Sequence, residues 1–319
     1  MTTGKRLGVV MDPIGAINYA KDSTLALLLA AQARGFALAY LEMQDLLLRD
    51  GVPFGRLRAL TVKADPKGWF SLGEAVLEPL SALDCLLMRK DPPFDMEYIY
   101  STYILDRAQE QGAMVVNEPQ GLRDMNEKAY TAWFPQCCAP TLITRSLADM
   151  DAFLHEHGKI VCKPLDGMGG RSIFVTDVTD KNRLVIFETL TAHGSRFAMA
   201  QRYLPQIVDS GDSRVLLVDG EPMPYALARM PSADDHRGNL AAGALGVGRP
   251  LNDRDRWLAA QIGPALARRG MLFVGLDVIG GYVTEINVTS PTGIRELDKQ
   301  FHIKIGDLLM QAIERRLQR

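Results

Sequence analysis

Short apolar runs alternate with helix-length stretches through the first third of the chain. Leu7–Met11 reads as a buried parallel strand, and Phe36–Leu41, Leu83–Met88 and Ala113–Val116 repeat the pattern. Between them, Asp22 is placed to cap a helix that runs to Arg34 and stops at Gly35, and Met96–Gln111 predicts a second helix closed by Gly112. Strand and helix in this order make a doubly wound α/β layer, whose binding crevice lies at the carboxyl ends of its strands. The loops Asp12–Asn18 and Arg89–Asp95 then border that crevice. Arg89 and Lys90, directly after an apolar strand, are placed for an anionic ligand.

The character changes near Asn117–Gln120. From Leu142 onward the pattern gives a strand, a helix with Ser146 as N-cap and Asp149 at its third position, a strand at Ile160–Lys163, and a glycine loop. A strand at Ser172–Thr176, a helix at Asn182–His193 and a strand at Ala198–Tyr203 follow. A hairpin is expected around Asp219-Gly220, then an irregular stretch from Pro231 to Pro250. Val274–Ile279 and Tyr282–Val288 are β-rich and separated by Gly280-Gly281, a pair suited to a tight turn. Alternation along strands puts Asp277 on one face and Glu285 and Asn287 together on one side of the next strand. Two carboxylates and an amide would then converge, an oxygen set that suits a hard divalent cation bridging phosphates.

Composition narrows the classes. At 319 residues the chain exceeds one ordinary core and predicts two or three lobes. A formal net charge of −2 argues against nucleic acid or an anionic membrane as the main partner, and the pairs Arg268-Arg269 and Arg315-Arg316 read as solvated helix ends. The apolar stretch Leu25–Ala33 is too short for a membrane span and no signal-peptide pattern opens the chain, so a cytoplasmic protein is expected. Cys85, Cys137, Cys138 and Cys162 have no C-x-x-C spacing and His is scarce, so neither a disulfide framework nor a zinc site is indicated.

Several segments carry chemistry. Lys163 ends a strand and leads into a loop containing Gly167, Gly169 and Gly170; glycines let backbone N–H groups approach phosphate oxygens, and the lysine adds charge. The loop is not a Walker A motif, which needs Gly-Lys-Ser/Thr opening a helix. Lys128 is a second candidate cation. Met199–Pro205 has the character of a connector between lobes that can present its backbone to a base, with Gln201, Tyr203 and Leu204 at its centre. Asp212 could accept from a ribose hydroxyl and Arg214 could reach a phosphate or carboxylate. The Gly- and Ala-rich stretch with Arg229 before it and Arg237 within it suggests a lid over a water-sensitive intermediate.

Lysine, glycine loop, lobe connector, long loop and Asp/Glu/Asn cluster occur in the order that resembles the ATP-grasp superfamily. Val10–Ile14, Leu87–Asp95, Lys163–Gly170, Arg237–Gly243 and Thr284–Thr292 look like the bacterial glutathione synthetases, and this resemblance runs nearly end to end. It implies an α/β chain, with α+β character in its C-terminal part: a doubly wound substrate domain at residues 1–122, a central ATP-grasp lobe at 123–203, and a C-terminal lobe at 204–319 carrying a lid at about 231–248. It implies ATP and Mg²⁺, with Mn²⁺ as the alternative ion. Lys128, Lys163 and the loop Gly167, Gly169, Gly170 become phosphate groups; Gln201, Tyr203 and Leu204 face adenine; Asp212 and Asn239 belong to the nucleotide site. Asp277, Glu285 and Asn287 hold metal. Arg214, Arg229 and Arg237 act on the reacting groups, and Arg89 with Ser290, Pro291, Thr292 and Gly293 bounds the substrate pocket. The implied substrates are γ-glutamylcysteine and glycine, and the implied assembly a homotetramer. The lid tip departs from the family, with Ala233–His236 and Ala244-Leu245 in place of a more glycine-rich pattern. Rival readings are a ligase of the same fold acting on D-alanines or a glutamate tail, an ATP-binding regulatory protein without turnover, and a periplasmic-type binding protein.

Overall fold

A computed structural model of the chain describes residues 4–168, 170–230 and 245–318. Among these residues the strands form three sheets. The first contains β1 (Arg6–Val10), β2 (Ala37–Leu41), β3 (Leu46–Arg49), β4 (Val52–Val62), β5 (Phe70–Pro79), β6 (Cys85–Met88) and β7 (Met114–Val116). Its order is β3-β4-β2-β1-β6-β7, with β5 on β4. Strands β2, β1, β6 and β7 run parallel, and their apolar runs are buried because helices cover the sheet.

The antiparallel strands β3–β5 are not apparent in the sequence pattern. Pro53 and Gly55 interrupt β4, while most of β5 is exposed and has no apolar stripe. Gly55 is required by packing, since a Cβ there would lie 2.5 Å from the Leu41 side chain.

Asp22 caps the first helix, Ser23–Ala33, by accepting from the N–H of Leu25. This helix buries residues on several sides, since it lies between the sheet and the C-terminal helix Ile305–Leu317. A Cβ at Gly306 would come within 3.0 Å of the Ala26 carbonyl, so the two helices approach at a glycine.

The second sheet has β8 (Thr141–Thr144), β9 (Lys159–Pro164), β10 (Phe174–Asp177) and β11 (Ala198–Arg202) in the order β10-β9-β11-β8, all antiparallel. Helices Leu147–His157 and Arg183–Thr191 close over it around Met150, Leu154 and Phe187, which make a separate apolar core. Ser146 caps the first of them through the Asp149 N–H, as the sequence predicts.

The third sheet has β12 (Asp212–Val218), β13 (Glu221–Met230), β14 (Leu245–Pro250), β15 (Phe273–Ile279) and β16 (Tyr282–Asn287), in the order β14-β13-β12-β15-β16. Asp219-Gly220 and Gly280-Gly281 turn its two hairpins at positive φ. Leu245–Pro250, expected to be irregular, is a strand antiparallel to β13. Its glycines hid it. Gly248 is needed there, because a Cβ would come within 2.2 Å of the Phe301 ring of helix Ile294–Phe301. The rest of the expected lid, 231–244, lies outside the described residues.

Of the arginine pairs at helix ends, Arg268, Arg269 and Arg315 are exposed as expected, and two of the four arginines also form close ion pairs. Arg269 reaches Asp124 at 2.7 Å, and Arg316 reaches Asp219 at 2.5 Å.

Candidate active site

A cleft of about 750 Å³ opens between the sheets and is lined from all three. One end carries two lysines, Lys163, the last-but-one residue of β9, and Lys128 from the segment after the first domain's last helix. Both side chains are buried. The Lys128 ammonium donates to the Gly167 carbonyl at 2.6 Å and pairs with Glu127. It also lies 3.5 Å from Glu285, which is 4.0 Å from Lys163. Gly167 must be glycine, since a Cβ would meet the Pro164 ring at 2.6 Å. Asn126 anchors the same loop through the Leu165 carbonyl at 2.9 Å. Gly170 lines the cleft, whereas Gly169 lies outside the described residues.

The β15–β16 hairpin faces these lysines. Asp277 stands directly opposite Glu285, and Gly275 opposite Asn287. A bulge makes this possible: Thr284 is an extra residue between the pairs Asp277/Glu285 and Val278/Val283, and its hydroxyl returns to the Asp277 carbonyl at 3.3 Å. Asp277 is held by Arg214 of β12 at 2.5 and 2.9 Å and by Arg229 of β13 at 2.9 Å. Arg229 also grips Asp212 at 2.5 Å, while the other Asp212 oxygen, Oδ1, is buried without a partner among the described residues.

Charge is crowded here. Burial, then the nearby Glu285 charge, pushes the Glu127 carboxyl up to about 7. Burial does the same to Asp212, also to about 7; Arg229 opposes the rise and the Asp277 charge adds to it. Asp277 is buried too, but Arg214 and Arg229 outweigh burial and hold it well below the usual carboxylate range. Burial works against the Lys128 charge, yet Glu285 and Glu127 prevail and raise its pKa.

The donor chemistry fits a hard divalent cation: carboxylates of Asp277 and Glu285 and the Asn287 amide, with no sulfur or imidazole. Asn287 uses its Nδ2 on Asp277 and on the Gly275 carbonyl, both at 3.3 Å, which leaves its amide oxygen available. The carboxylates do not yet converge, and among the described residues no group of three or more His, Cys, Asp or Glu side chains gathers at one point. The reason is that Asp277 is turned onto its arginines.

At the other end, Val161, Leu204 and Ile279 form an apolar wall beside Gln201 and Tyr203. Of the residues expected to bound the substrate pocket, Ser290, Pro291 and Thr292 line the cleft, and Ser290 donates to Asp91. The loops after β1 and β6 meet there, through Lys90 to Asp12 at 2.8 Å and the Asp91 N–H to Asp12 at 2.9 Å.

Two expected pocket residues sit behind the lining. Arg89 is buried, donating to Thr24 at 3.1 Å and to the Pro291 carbonyl at 3.0 Å. Gly293, at φ +115°, starts helix Ile294–Phe301. Arg237 and Asn239 lie outside the described residues. Residue types alone did not single out Glu127, Asn126 or Thr284; for Glu127 the available signal was its adjacency to Lys128.

The chain is similar to known proteins along most of its length. The family model described as "Prokaryotic glutathione synthetase, N-terminal domain" matches residues 6–123, and "Prokaryotic glutathione synthetase, ATP-grasp domain" matches residues 127–302. The chain is 58% identical over 312 residues to a glutathione synthetase of Pseudomonas putida, covering 98% of each. Among solved structures, D-cycloserine synthetase DcsG superposes with a TM-score of 0.68 at 16% identity, covering 98% of this chain and 99% of that one. The ATP-grasp ligase PsnB, in its complex with minimal precursor, Mg and ADP, superposes at 0.61 and 16%, covering 98% and 97%. The two family models and the 58% identity across 98% of the chain, with the cleft and its hairpin opposite buried lysines, make the chain a member of the prokaryotic glutathione synthetase family, ATP-dependent ligases of the ATP-grasp fold.

Proposed function

We propose that the cleft joins γ-glutamylcysteine to glycine through an acyl phosphate. The observation that carries this reading is the pair of buried lysines facing Glu285 across from Asp277 and Asn287, continuous with a pocket that ends at Ser290–Thr292. The γ-phosphoryl group of ATP passes to the cysteinyl carboxylate oxygen, leaving ADP. The glycine nitrogen then attacks the carbonyl carbon, the bond to phosphate breaks, and the amine loses a proton. No protein nucleophile is needed; positioning and charge stabilisation suffice.

In this reading Lys128 leaves the Gly167 carbonyl to bind phosphate oxygens, and Lys163 stabilises the charge that develops on the transferred group. Gly167, Gly169 and Gly170 approach the phosphates, Gln201, Tyr203 and Leu204 receive the base, and Asp212 takes the ribose through its unpartnered oxygen. Bound Mg²⁺, or Mn²⁺, would be held by Asp277, Glu285 and Asn287 and would neutralise phosphate charge. Arg214 and Arg229, released in part from Asp277, turn toward the reacting carboxylate. Arg237 and Asn239 are assigned to the closing segment by family likeness.

Domain limits of 1–122, 123–203 and 204–319, a cytoplasmic location and a homotetramer belong to the same reading. No helix of the described residues is long and apolar enough to cross a membrane. The test is ADP release with both γ-glutamylcysteine and glycine, each omitted in turn. Full turnover requires both; release with D-alanine alone would replace this reading with a D-alanine ligase.

A further inference from the structure

The carboxyl ends of β6 and β7 do more than border the cleft. Asn117, directly after β7, is buried, and its amide is fully used on the third sheet. Its Nδ2 donates to the Phe273 carbonyl at 2.8 Å and to the Val288 carbonyl at 2.6 Å, and its Oδ1 accepts from the Phe273 N–H at 3.0 Å. Phe273 is the first residue of β15 and Val288 follows the last residue of β16. One side chain thus pins the open end of the hairpin whose middle carries Asp277 and Glu285. Arg89, after β6, reinforces the clamp: its guanidinium lies 5.5 Å over the Phe273 ring and donates to the Pro291 carbonyl at 3.0 Å. The middle of the hairpin is held elsewhere, by β12 along β15 and by the Ile286 N–H donating to the Glu127 carbonyl at 2.8 Å, so Asn117 fixes the open end while these ties hold the rest.

We infer that Asn117 is a positioning residue for the metal-bearing hairpin, setting Glu285 and Asn287 relative to the phosphate lysines while touching neither substrate nor nucleotide. A buried amide that makes three backbone bonds cannot lose its donor without leaving two carbonyls unsatisfied, and the strands then shift to recover partners. This rests on the reading of β15–β16 as the metal hairpin.

The experiment is calorimetric ADP binding to the full chain at graded magnesium concentration, with and without metal, for the parent and for Asn117→Asp. That variant keeps the shape and loses the donors. The expected result is a half-saturating magnesium concentration raised about fivefold or more, with metal-free ADP affinity within about twofold of the parent. In steady-state assays kcat should fall while the KM for γ-glutamylcysteine holds. Unchanged magnesium dependence in the folded variant overturns the role, as does an equal loss of metal-free affinity. A parent without magnesium dependence overturns it together with the hairpin reading. Should Asn117→Asp not fold, Asn117→Ser, which keeps one hydroxyl donor, is judged by the same results.

Discussion

Asp277 and Glu285 face each other on paired strands yet answer to different cations: Asp277 to Arg214 and Arg229, Glu285 to Lys128 and Lys163. The cleft therefore holds its two principal carboxylates apart by pairing them in opposite directions. Under the proposed function, phosphates and metal would each displace partners that these carboxylates hold here.

Replacing Glu285 by Gln keeps the size of the side chain and removes the charge that faces both lysines. The fold should persist, with an unchanged circular dichroism spectrum, while turnover with Mg-ATP falls on the order of 100-fold, the scale of losing one electrostatic contact at the reacting group. Parent-like rates across a magnesium titration would remove Glu285 from the site.

Lys163→Met retains most of the apolar stem and deletes the ammonium. The loss expected is about 2–4 kcal/mol of transition-state stabilisation, read as kcat/KM. A change under about threefold would show that the lysine is idle.

Glu127 and Asp212 both have carboxyls pushed up to about 7. A carboxyl raised in the folded state contributes stability that is full below its unfolded value of about 4 and is lost as pH rises through the folded one. The ligand-free protein should therefore lose stability between about pH 4 and pH 7 from these two groups. A bound divalent cation offsets their charge, so Mg-ADP should raise the melting temperature more at pH 8 than at pH 6. An equal shift at both pH values would contradict this placement of charge.

The four cysteines are buried, and burial pushes the thiols of Cys85, Cys138 and Cys162 up to about 12. Thiolate is the reactive form, so a disulfide reagent such as Ellman's should titrate them in the native protein at least 100-fold more slowly than in denaturant. Rapid native labelling at a single site would show that one thiol is accessible.

Much of the cleft was legible because its strands end in unusual letters. Lys163 before a glycine loop and Glu285-Ile-Asn287 after a Gly-Gly turn are local patterns, and the folded chain brings them together. What stayed hidden is non-local. A plain two-residue hairpin at Gly280-Gly281 would set Thr284 opposite Asp277 and send Glu285 to the far face; only the extra residue restores the alignment, and nothing in the sequence marks it. Arg89 reads as a ligand contact because it follows a strand, but its partners Thr24 and Pro291 lie 65 and 202 positions away. In the β3–β5 meander, β5 escaped because it is mostly exposed and carries no apolar period, and β4 because Pro53, Gly55 and the slip between Arg58 and Leu60 break up its alternation.

The apolar side chains are divided unevenly. Those of the first and third sheets intermingle in shared clusters, whereas the β8–β11 sheet keeps its own around Met150, Leu154 and Phe187. Interior damage should therefore stay local: a cavity cut at Phe187 would loosen the β8–β11 core while leaving the apolar layer shared by the other two sheets intact.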